Sequence, residues 1–327
     1  EFIKSIGALT AVKSDARPIL QPKLNLFGDK NKILSWDLDQ KSWSLSTLDI
    51  PHPINYYAAA VTLPDGSAFI TGGGSSPATY VVTHEQKCLP KAPLRQVRKE
   101  HSAVYMGGYV WVMGGYDNVN NRFLKSCEKY DYKTNTWSFF KNMNTPRCAF
   151  SSCTLNDKMI YIFGGYDGIN RLDDIDVYDP DVDLWTVLDI ALNTSLSNCA
   201  CFSPCENKII VLGGGHSNGF SRDVKMIDFE TLTWTTLPEL PDGKDLRNKI
   251  TFHDGIAYAV GGNNYRTDAY SFVNQEWLEL PIYPIEDNLD SWSSALTYLV
   301  SKDKSTDSSD DDEEEVVVSD EGSKTEQ

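Results

Sequence analysis

The chain has 327 residues, of which 41% are hydrophobic and 23% charged, proportions typical of a soluble globular protein. It contains no run of about 18 consecutive apolar residues, so we expect no membrane partner. The net charge is −16, and an acidic protein repels phosphate backbones, which argues against a nucleic-acid partner.

Residues 1–23 contain no repeated motif, and we interpret them as an N-terminal segment or linker. They lack the pattern of a secretion signal, and the chain has seven cysteines, an odd number. Both features favour a reducing compartment, and we expect a cytoplasmic protein.

Cys199, Cys201 and Cys205 lie close together, but no histidine is near enough to complete a zinc site. We therefore predict a buried strand there, and no metal or cofactor.

A repeated aromatic pattern divides the chain into six units. Five tryptophans and one cysteine form a series with spacings of 43 to 49 residues: Trp43, Cys88, Trp137, Trp185, Trp234 and Trp277. Seven residues before each stands a residue suited to a half-buried strand: Trp36, Val81, Tyr130, Tyr178, Ile227 and Tyr270. Glycines end an apolar run ahead of these sites: Gly28 alone, then Gly72-Gly73, Gly114-Gly115, Gly164-Gly165, Gly213-Gly214 and Gly261-Gly262.

Each unit is predicted to form four antiparallel strands. The apolar runs, such as residues 110–113 and 159–163, are short and rich in β-branched and aromatic residues. Pairs such as Asp65-Gly66 and Gly107-Gly108 precede these runs and are suited to tight hairpins. The sequence therefore predicts an all-β, six-bladed propeller over residues 24–300, with Trp137, Trp185, Trp234 and Cys88 buried between blades.

The first unit lacks its innermost strand. Residues 293–298 are similar to the first strand of the third unit at 102–106, so we predict that a C-terminal strand closes the ring. Closure removes an unpaired sheet edge, which is a liability in β proteins. Residues 5–12 are the alternative source of this strand.

Together these motifs resemble the Kelch repeat family: a glycine pair, a tyrosine, and a tryptophan seven residues later. The sequence departs from this pattern at Cys88, Val81, Ile227 and the lone Gly28. The resemblance implies a protein-binding scaffold or substrate-recruiting module, either an adaptor of a cullin-type ubiquitin ligase or a cytoskeletal linker. The ligase setting needs an upstream domain, for which residues 1–23 are too short.

The alternative is a propeller enzyme, similar to an oxidase or an epimerase, with a site in the central channel. Fold alone does not exclude it. An active site needs groups with complementary roles, and the histidines occupy no shared repeat position. They are His52, His84, His101, His216 and His253. We therefore expect no catalytic activity.

Eight of the nine arginines map to one face of the predicted propeller, where the loops between second and third strands and the blade-to-blade connections open. Those in or beside the loops are Arg122, Arg171, Arg222 and Arg266, and those in the connections are Arg95, Arg98, Arg147 and Arg247. Arginine binds carboxylates through two parallel hydrogen bonds, so this face suits a protein or an acidic peptide. The alternative is that these arginines pair with neighbouring Asp and Glu side chains.

Loop length favours blades 3 to 5 as the recognition region. The distance from the last glycine to the tyrosine-like site is 15, 13 and 13 residues there, but 8 residues in the other units. The predicted partner-binding residues are Arg98, Arg122, Arg147, Arg171, Arg222, Arg247, Arg266, Tyr116, Tyr166 and His216, with Asn118, Asn170 and Phe220 as further candidates.

Residues 301–327 hold eleven acidic residues against three lysines and carry half of the net charge. Their apolar content is too low to offset the entropy of ordering, so we predict a disordered acidic tail. This tail is itself a candidate ligand for the arginine-bearing face.

Overall fold

The computed structural model describes residues 20–28, 31–48, 54–83, 85–260, 267–283 and 292–300. In these ranges the chain forms six antiparallel four-stranded sheets, which are the six predicted blades. The innermost strands of neighbouring blades contact one another in a closed ring around a central channel. Within the described ranges, no helix is long and apolar enough to cross a membrane.

The first three blades contain strands β1 to β13. Blade 1 begins with β1 (Leu20–Phe27), β2 (Lys32–Asp37) and β3 (Ser42–Thr47). Blade 2 consists of β4 (Ala59–Thr62), β5 (Ala68–Thr71), β6 (Thr79–Val82) and β7 (Cys88–Lys91). Blade 3 consists of β8 (Ser102–Met106), β9 (Tyr109–Met113), β12 (Cys127–Asp131) and β13 (Thr136–Phe140), with a hairpin of β10 (Tyr116–Asp117) and β11 (Arg122–Phe123).

The remaining blades contain strands β14 to β27. Blade 4 consists of β14 (Ser151–Leu155), β15 (Met159–Phe163), β16 (Ile175–Asp179) and β17 (Leu184–Val187). Blade 5 consists of β18 (Ala200–Cys205), β19 (Lys208–Leu212), β22 (Val224–Asp228) and β23 (Thr233–Thr236), with a hairpin of β20 (Gly215–His216) and β21 (Gly219–Phe220). Blade 6 consists of β24 (Ile250–His253), β25 (Ile256–Ala259), β26 (Asp268–Ser271) and β27 (Glu276–Glu279).

The C-terminal strand β28 (Ser293–Val300) closes the ring as predicted. It pairs with β1 over eight positions and becomes the innermost strand of blade 1. The buried Trp292 packs on Gly28, where a Cβ would overlap the indole. This contact accounts for the lone glycine of the first unit. β1 begins at Leu20, so the propeller includes residues assigned above to the N-terminal segment. The alternative strand at 5–12 lies outside the described residues.

The repeated aromatic pairs lie on adjacent strands of one blade. Tyr130 pairs with Trp137 and Tyr178 with Trp185, with ring centroids 5.0 and 5.1 Å apart. Trp137 and Trp185 are buried as predicted, whereas Trp234 is only partly buried.

Blade 2 corrects the predicted repeat register. Val82, not Val81, lies opposite Cys88, because the two paired positions are six residues apart in blade 2 and seven apart in the other blades. Cys88 does occupy the tryptophan position, but it is partly buried and not fully buried as predicted.

Six hydrophobic clusters hold the blades together, one at each interface between neighbouring blades. The repeated tryptophans also cross these interfaces through their ring N–H groups. Trp137 Nε1 donates to the Ala92 carbonyl of blade 2 at 2.7 Å, and Trp185 Nε1 donates to Lys141 of blade 3 at 2.9 Å. Trp43 Nε1 donates to the Pro281 carbonyl at 2.9 Å across the closure between blades 6 and 1.

The glycine pairs bind each blade to the connection that follows it. Gly115 N–H donates to the Arg147 carbonyl at 2.8 Å, and Gly73, Gly165 and Gly214 make the equivalent bonds to Arg98, Leu196 and Lys244. A Cβ on Gly114 would lie 2.7 Å from the same Arg147 oxygen, and both glycines have positive φ. Only glycine meets both requirements without strain.

Three of these connection residues also bind the following blade through their side chains. Arg98 donates to Glu128 at 2.8 Å and to the Gly114 carbonyl at 2.6 Å. Arg147 contacts Asp174 at 2.7 Å and Asp176 at 3.3 Å, and Lys244 contacts Asp268 at 3.1 Å. Glu128, Asp176 and Asp268 each stand two residues before the tyrosine site. We call Arg98, Arg147 and Lys244 the connection clamps.

Shortening the chain tests the closing strand. A chain ending at Asp290 loses β28 and Trp292, and we expect its free energy of unfolding to fall by at least about 3–5 kcal/mol, the effect of losing one buried tryptophan. A chain ending at Ser301 keeps the whole propeller and should unfold like the intact protein. Equal urea midpoints for the two shortened chains would show that β28 does not close the ring.

Two Glu→Gln substitutions test the connection clamps. Glu128→Gln leaves the fully buried Arg98 without its charge partner, which should cost about 3–5 kcal/mol in urea denaturation. Glu239→Gln is the control. It removes the partner of Arg222 from an exposed pair, in which Glu239 is 58% and Arg222 is 53% exposed, and it should change stability little. If the two variants unfold at the same urea concentration, the buried pair does not hold the blades together.

Candidate functional site

The longer loops of blades 3 to 5 form three hairpins on one face of the propeller. We call this the loop face, and the opposite face, which carries the other turns, the turn face. In blade 3 β10 pairs with β11, in blade 4 Tyr166 pairs with Arg171, and in blade 5 β20 pairs with β21.

Short-range hydrogen bonds shape the hairpin tips. Asp117 Oδ1 accepts the N–H groups of Val119 and Asn120, and Asp167 Oδ1 accepts those of Ile169 and Asn170. These bonds hold the pKa of Asp167 below its usual value. Both aspartates thus form the side-chain turns expected of this residue type and fix the hairpins.

Each hairpin presents one exposed apolar side chain and one exposed arginine. The apolar residues are Val119, Ile169 and Phe220, which are 62%, 83% and 40% exposed. The arginines are Arg122, Arg171 and Arg222. We call these six residues the hairpin crest.

Tyr116 and Tyr166, predicted to contact a partner, are half-buried and pack the hairpins together. Phe123 lies between them, with ring centroids 5.0 Å from Tyr116 and 5.6 Å from Tyr166. The hairpins of blades 3 and 4 therefore form one continuous surface, which the packing of these three rings holds together. His216 is also half-buried, and its Nδ1 accepts the Asn218 N–H at 3.1 Å within the blade 5 hairpin.

Arg98 and Arg147 do not lie on the exposed face, contrary to the prediction. Both are fully buried as connection clamps, so neither can reach a ligand. The crest arginines have weaker or no ion pairs among the described residues. Arg122 Nε lies 3.5 Å from Asp117, Arg222 Nε lies 3.7 Å from Glu239, and Arg171 Nε donates to Ser197 Oγ at 3.1 Å. Arg266 lies outside the described residues.

Arg247 closes the loop-face end of the central channel. Its guanidinium contacts Asp245 at 3.1 Å, lies 4.7 Å from the Tyr57 ring centre, and reaches Glu100 of blade 3 at 3.5 Å. The space left at this mouth is about 30 Å³. The arginines on this face therefore do not surround an open central pocket.

A chain of backbone hydrogen bonds also narrows the mouth. Glu100 N–H donates to Tyr57, Ala149 to Glu100, Asn198 to Ala149, and Arg247 to Asn198, at 2.6–3.0 Å. All five residues have positive φ. This bonding joins the starts of blades 2 to 6 around the channel.

Two larger cavities lie elsewhere. The channel holds about 460 Å³ lined by apolar, hydroxyl and thiol side chains together with Asn248. We call the second the flank pocket. It holds about 420 Å³ beside blade 3 and is lined by Arg95, Gln96, Val97, Asp117, Val119, Asn120, Arg122 and Phe139.

The predicted cysteine strand is present. Cys201 and Cys205 belong to β18, directly after Cys199, and Cys199 and Cys201 are buried. Burial raises the pKa of the Cys199 thiol to about 12, which keeps it protonated. Among the described residues, no three His, Cys, Asp or Glu side chains are gathered as a metal ion would require.

The sequence interpretation missed Glu128 and Asp176 among the acids that decide which arginines are accessible. Glu128 and Asp176 bury two of them, and Glu100 draws Arg247 across the channel. A signal for the first two was present, since both acids stand two residues before a repeat tyrosine. Phe139, which lines the flank pocket beside Arg95, had no such signal.

The repeat region matches a known family. The model described as the KLHDC2/KLHL20/DRC7 Kelch-repeats domain matches residues 25–203 and 100–303. Kelch-like protein 36 of Mus musculus is 26% identical over 223 residues, covering 65% of this chain and 36% of that protein. Alpha-scruin of Limulus polyphemus is 26% identical over 247 residues, covering 68% of this chain and 26% of that protein. The chain thus spans only about a third or a quarter of the length of these relatives.

A solved structure, that of YjhT, is similar with a TM-score of 0.62 and 14% identity. The similarity covers 72% of this chain and 86% of that one. At this level of identity the similarity concerns the fold alone.

His101, beside the channel mouth, provides a test by pH. Burial, followed by the charge of Arg98, lowers the pKa of His101 to about 3, and its Nε2 contacts Thr71 Oγ1 at 2.8 Å. As pH falls below about 6.5, the unfolded chain protonates this residue and the folded chain does not, so stability is lost.

Between pH 7 and pH 5, we expect the free energy of unfolding of the wild type to fall by about 2 kcal/mol more than that of His101→Gln, since each pKa unit corresponds to about 1.4 kcal/mol. Urea denaturation at the two pH values measures this difference. Comparing two variants cancels the contributions of other titrating groups. Parallel losses in the two proteins would show that His101 is not buried in its neutral form.

Proposed function

Because the chain belongs to the Kelch repeat family, we propose that it is a protein-binding module whose partner contacts the hairpin crest. The observation that carries this proposal is the recurrence of one exposed apolar residue and one exposed arginine on each of three neighbouring hairpins. Binding energy at protein interfaces is concentrated in a few contacts, among which arginine and aromatic residues are enriched, and the crest offers three arginines and Phe220.

The support beneath the crest favours binding. The tips are fixed by Asp117 and Asp167, and Phe123 packs two hairpins together through Tyr116 and Tyr166. A surface that is already ordered loses less conformational entropy when a partner binds. Loops held in this way on a rigid scaffold are a common basis of recognition.

The chemistry of the crest suits a polypeptide with apolar and acidic side chains. Val119, Ile169 and Phe220 would contact apolar groups, and the three arginines would contact carboxylates. The chain's own acidic residues 310–315 are a candidate competitor for these arginines.

Two cellular settings are consistent with such a module. As an adaptor of a cullin-type ubiquitin ligase, it would present a crest-bound protein for ubiquitylation. As a cytoskeletal linker, it would hold a filament component. The ubiquitylation state of a crest-dependent partner distinguishes the settings.

Substitution of the three apolar crest residues tests the proposal. In Val119→Asp/Ile169→Asp/Phe220→Asp, we expect partners captured quantitatively from cell extract by the wild type to fall at least about tenfold, since charges replace the apolar contacts. The matched control is Leu232→Asp/Val273→Asp, which changes two residues of similar exposure on the turn face and should keep those partners. Circular dichroism and melting temperature check that both variants are folded.

Retention of every partner by the folded crest variant would refute the crest as the binding surface. Loss of the partners only in the Leu232→Asp/Val273→Asp variant would move the site to the turn face.

A further inference from the structure

The flank pocket is open beside the hairpin crest and contains two arginines. The connection from blade 2 contributes Arg95, and the blade 3 hairpin contributes Arg122. Its volume of about 420 Å³ is within the usual range for ligand pockets. The channel mouth, by contrast, leaves about 30 Å³.

Both guanidinium groups keep donors available for a ligand. Arg95 lies 5.2 Å from the Phe139 ring centre and makes one long bond, 3.4 Å, to the Trp137 carbonyl. The nearest approach of Arg122 to Asp117 is from Nε, at 3.5 Å. Each guanidinium carries five N–H donors, so most of them remain unused by these contacts.

The carboxylate that lines the pocket is already committed to the hairpin. Asp117 is buried and accepts hydrogen bonds from the backbone of Val119 and from both the backbone and side chain of Asn120. Burial alone would raise the pKa of Asp117, but these bonds and one from Gln96 lower it. Asp117 therefore stays ionised, and two arginines against this one carboxylate leave a net positive pocket.

An apolar wall lies next to these charges. Phe139 and Val119 are both more than half exposed and line the same pocket. Val119 and Arg122 also belong to the hairpin crest, so the pocket continues the surface that we assign to partner binding. A ligand that fills the pocket needs an acidic group beside an apolar one.

We propose that the flank pocket receives an acidic side chain, with a neighbouring apolar side chain, from the polypeptide bound on the hairpin crest. The carboxylate would contact Arg95 and Arg122, and the apolar side chain would pack on Phe139. This proposal rests on the proposed function, because it names the anchor for the same partner.

The experiment uses the full chain and three capped octapeptides. One alternates Leu and Glu, one replaces every Glu by Gln, and one replaces each Glu by phosphoserine. With ¹⁵N-arginine labelling, the nine Nε–H signals can be followed separately during titration. We expect the Leu–Glu peptide to shift the signals of Arg95 and Arg122, while those of the buried Arg98 and Arg147 stay unchanged.

Affinity for the Leu–Glu peptide should fall about tenfold in Arg95→Gln and in Arg122→Gln, the effect of losing about 1.4 kcal/mol of contact. Lys133→Gln is the matched control, because it removes the same charge from an exposed turn-face residue and should leave the affinity unchanged. The Gln peptide should bind at least about tenfold more weakly than the Leu–Glu peptide.

Three results would overturn the proposal: equal binding of the Glu and Gln peptides, binding of the phosphoserine peptide alone, or an equal loss of affinity in Lys133→Gln. None of these results bears on whether the crest substitutions release captured partners, so the proposed function would stand. Conversely, peptide binding at Arg95 and Arg122 with all partners retained by the crest variant would refute the proposed function.

Discussion

The structure depends on three connection residues, Arg98, Arg147 and Lys244, each of which binds the blade before it and the blade after it. At Arg98 and Arg147, the carbonyl accepts a glycine N–H from the blade before, and the guanidinium binds a buried acid of the blade after. Among the described strands, no strand of one blade pairs through its backbone with a strand of the next blade, and apolar packing alone is not directional. The connection clamps supply directional bonds at these interfaces, and the glycine pairs follow from the close approach that they need.

The clamps also determine what the loop face can bind. Glu128 and Asp176 hold Arg98 and Arg147 inside the propeller, which removes two cations from the surface. Glu100 holds Arg247 across the channel. Among the described residues, the exposed arginines therefore lie on the outer hairpins and beside blade 3. This distribution supports the proposed recognition at the crest and its flank, where charge, apolar exposure and an open pocket occur together.

Much of the fold could be predicted because a propeller repeats one local pattern. The spacing of Trp137, Trp185 and their equivalents gave the blade number, and the resemblance of 293–298 to 102–106 gave the closing strand. The error at Val81 has a simple cause, since reducing the separation of the two paired sites by one residue shifts the register without changing the composition.

The site was less predictable, because spacing assigns an arginine to a loop but does not give its direction. Arg98 is buried by an acid 30 residues away in sequence and Arg247 is held by one 147 residues away.

Hydrogen exchange at the glycine amides tests the clamp account most directly. The amides of Gly73, Gly115 and Gly214 should exchange only through global unfolding, as slowly as the amides of the core strands. Exchange of these glycine amides at the much faster rate of local loop opening would contradict the clamp account.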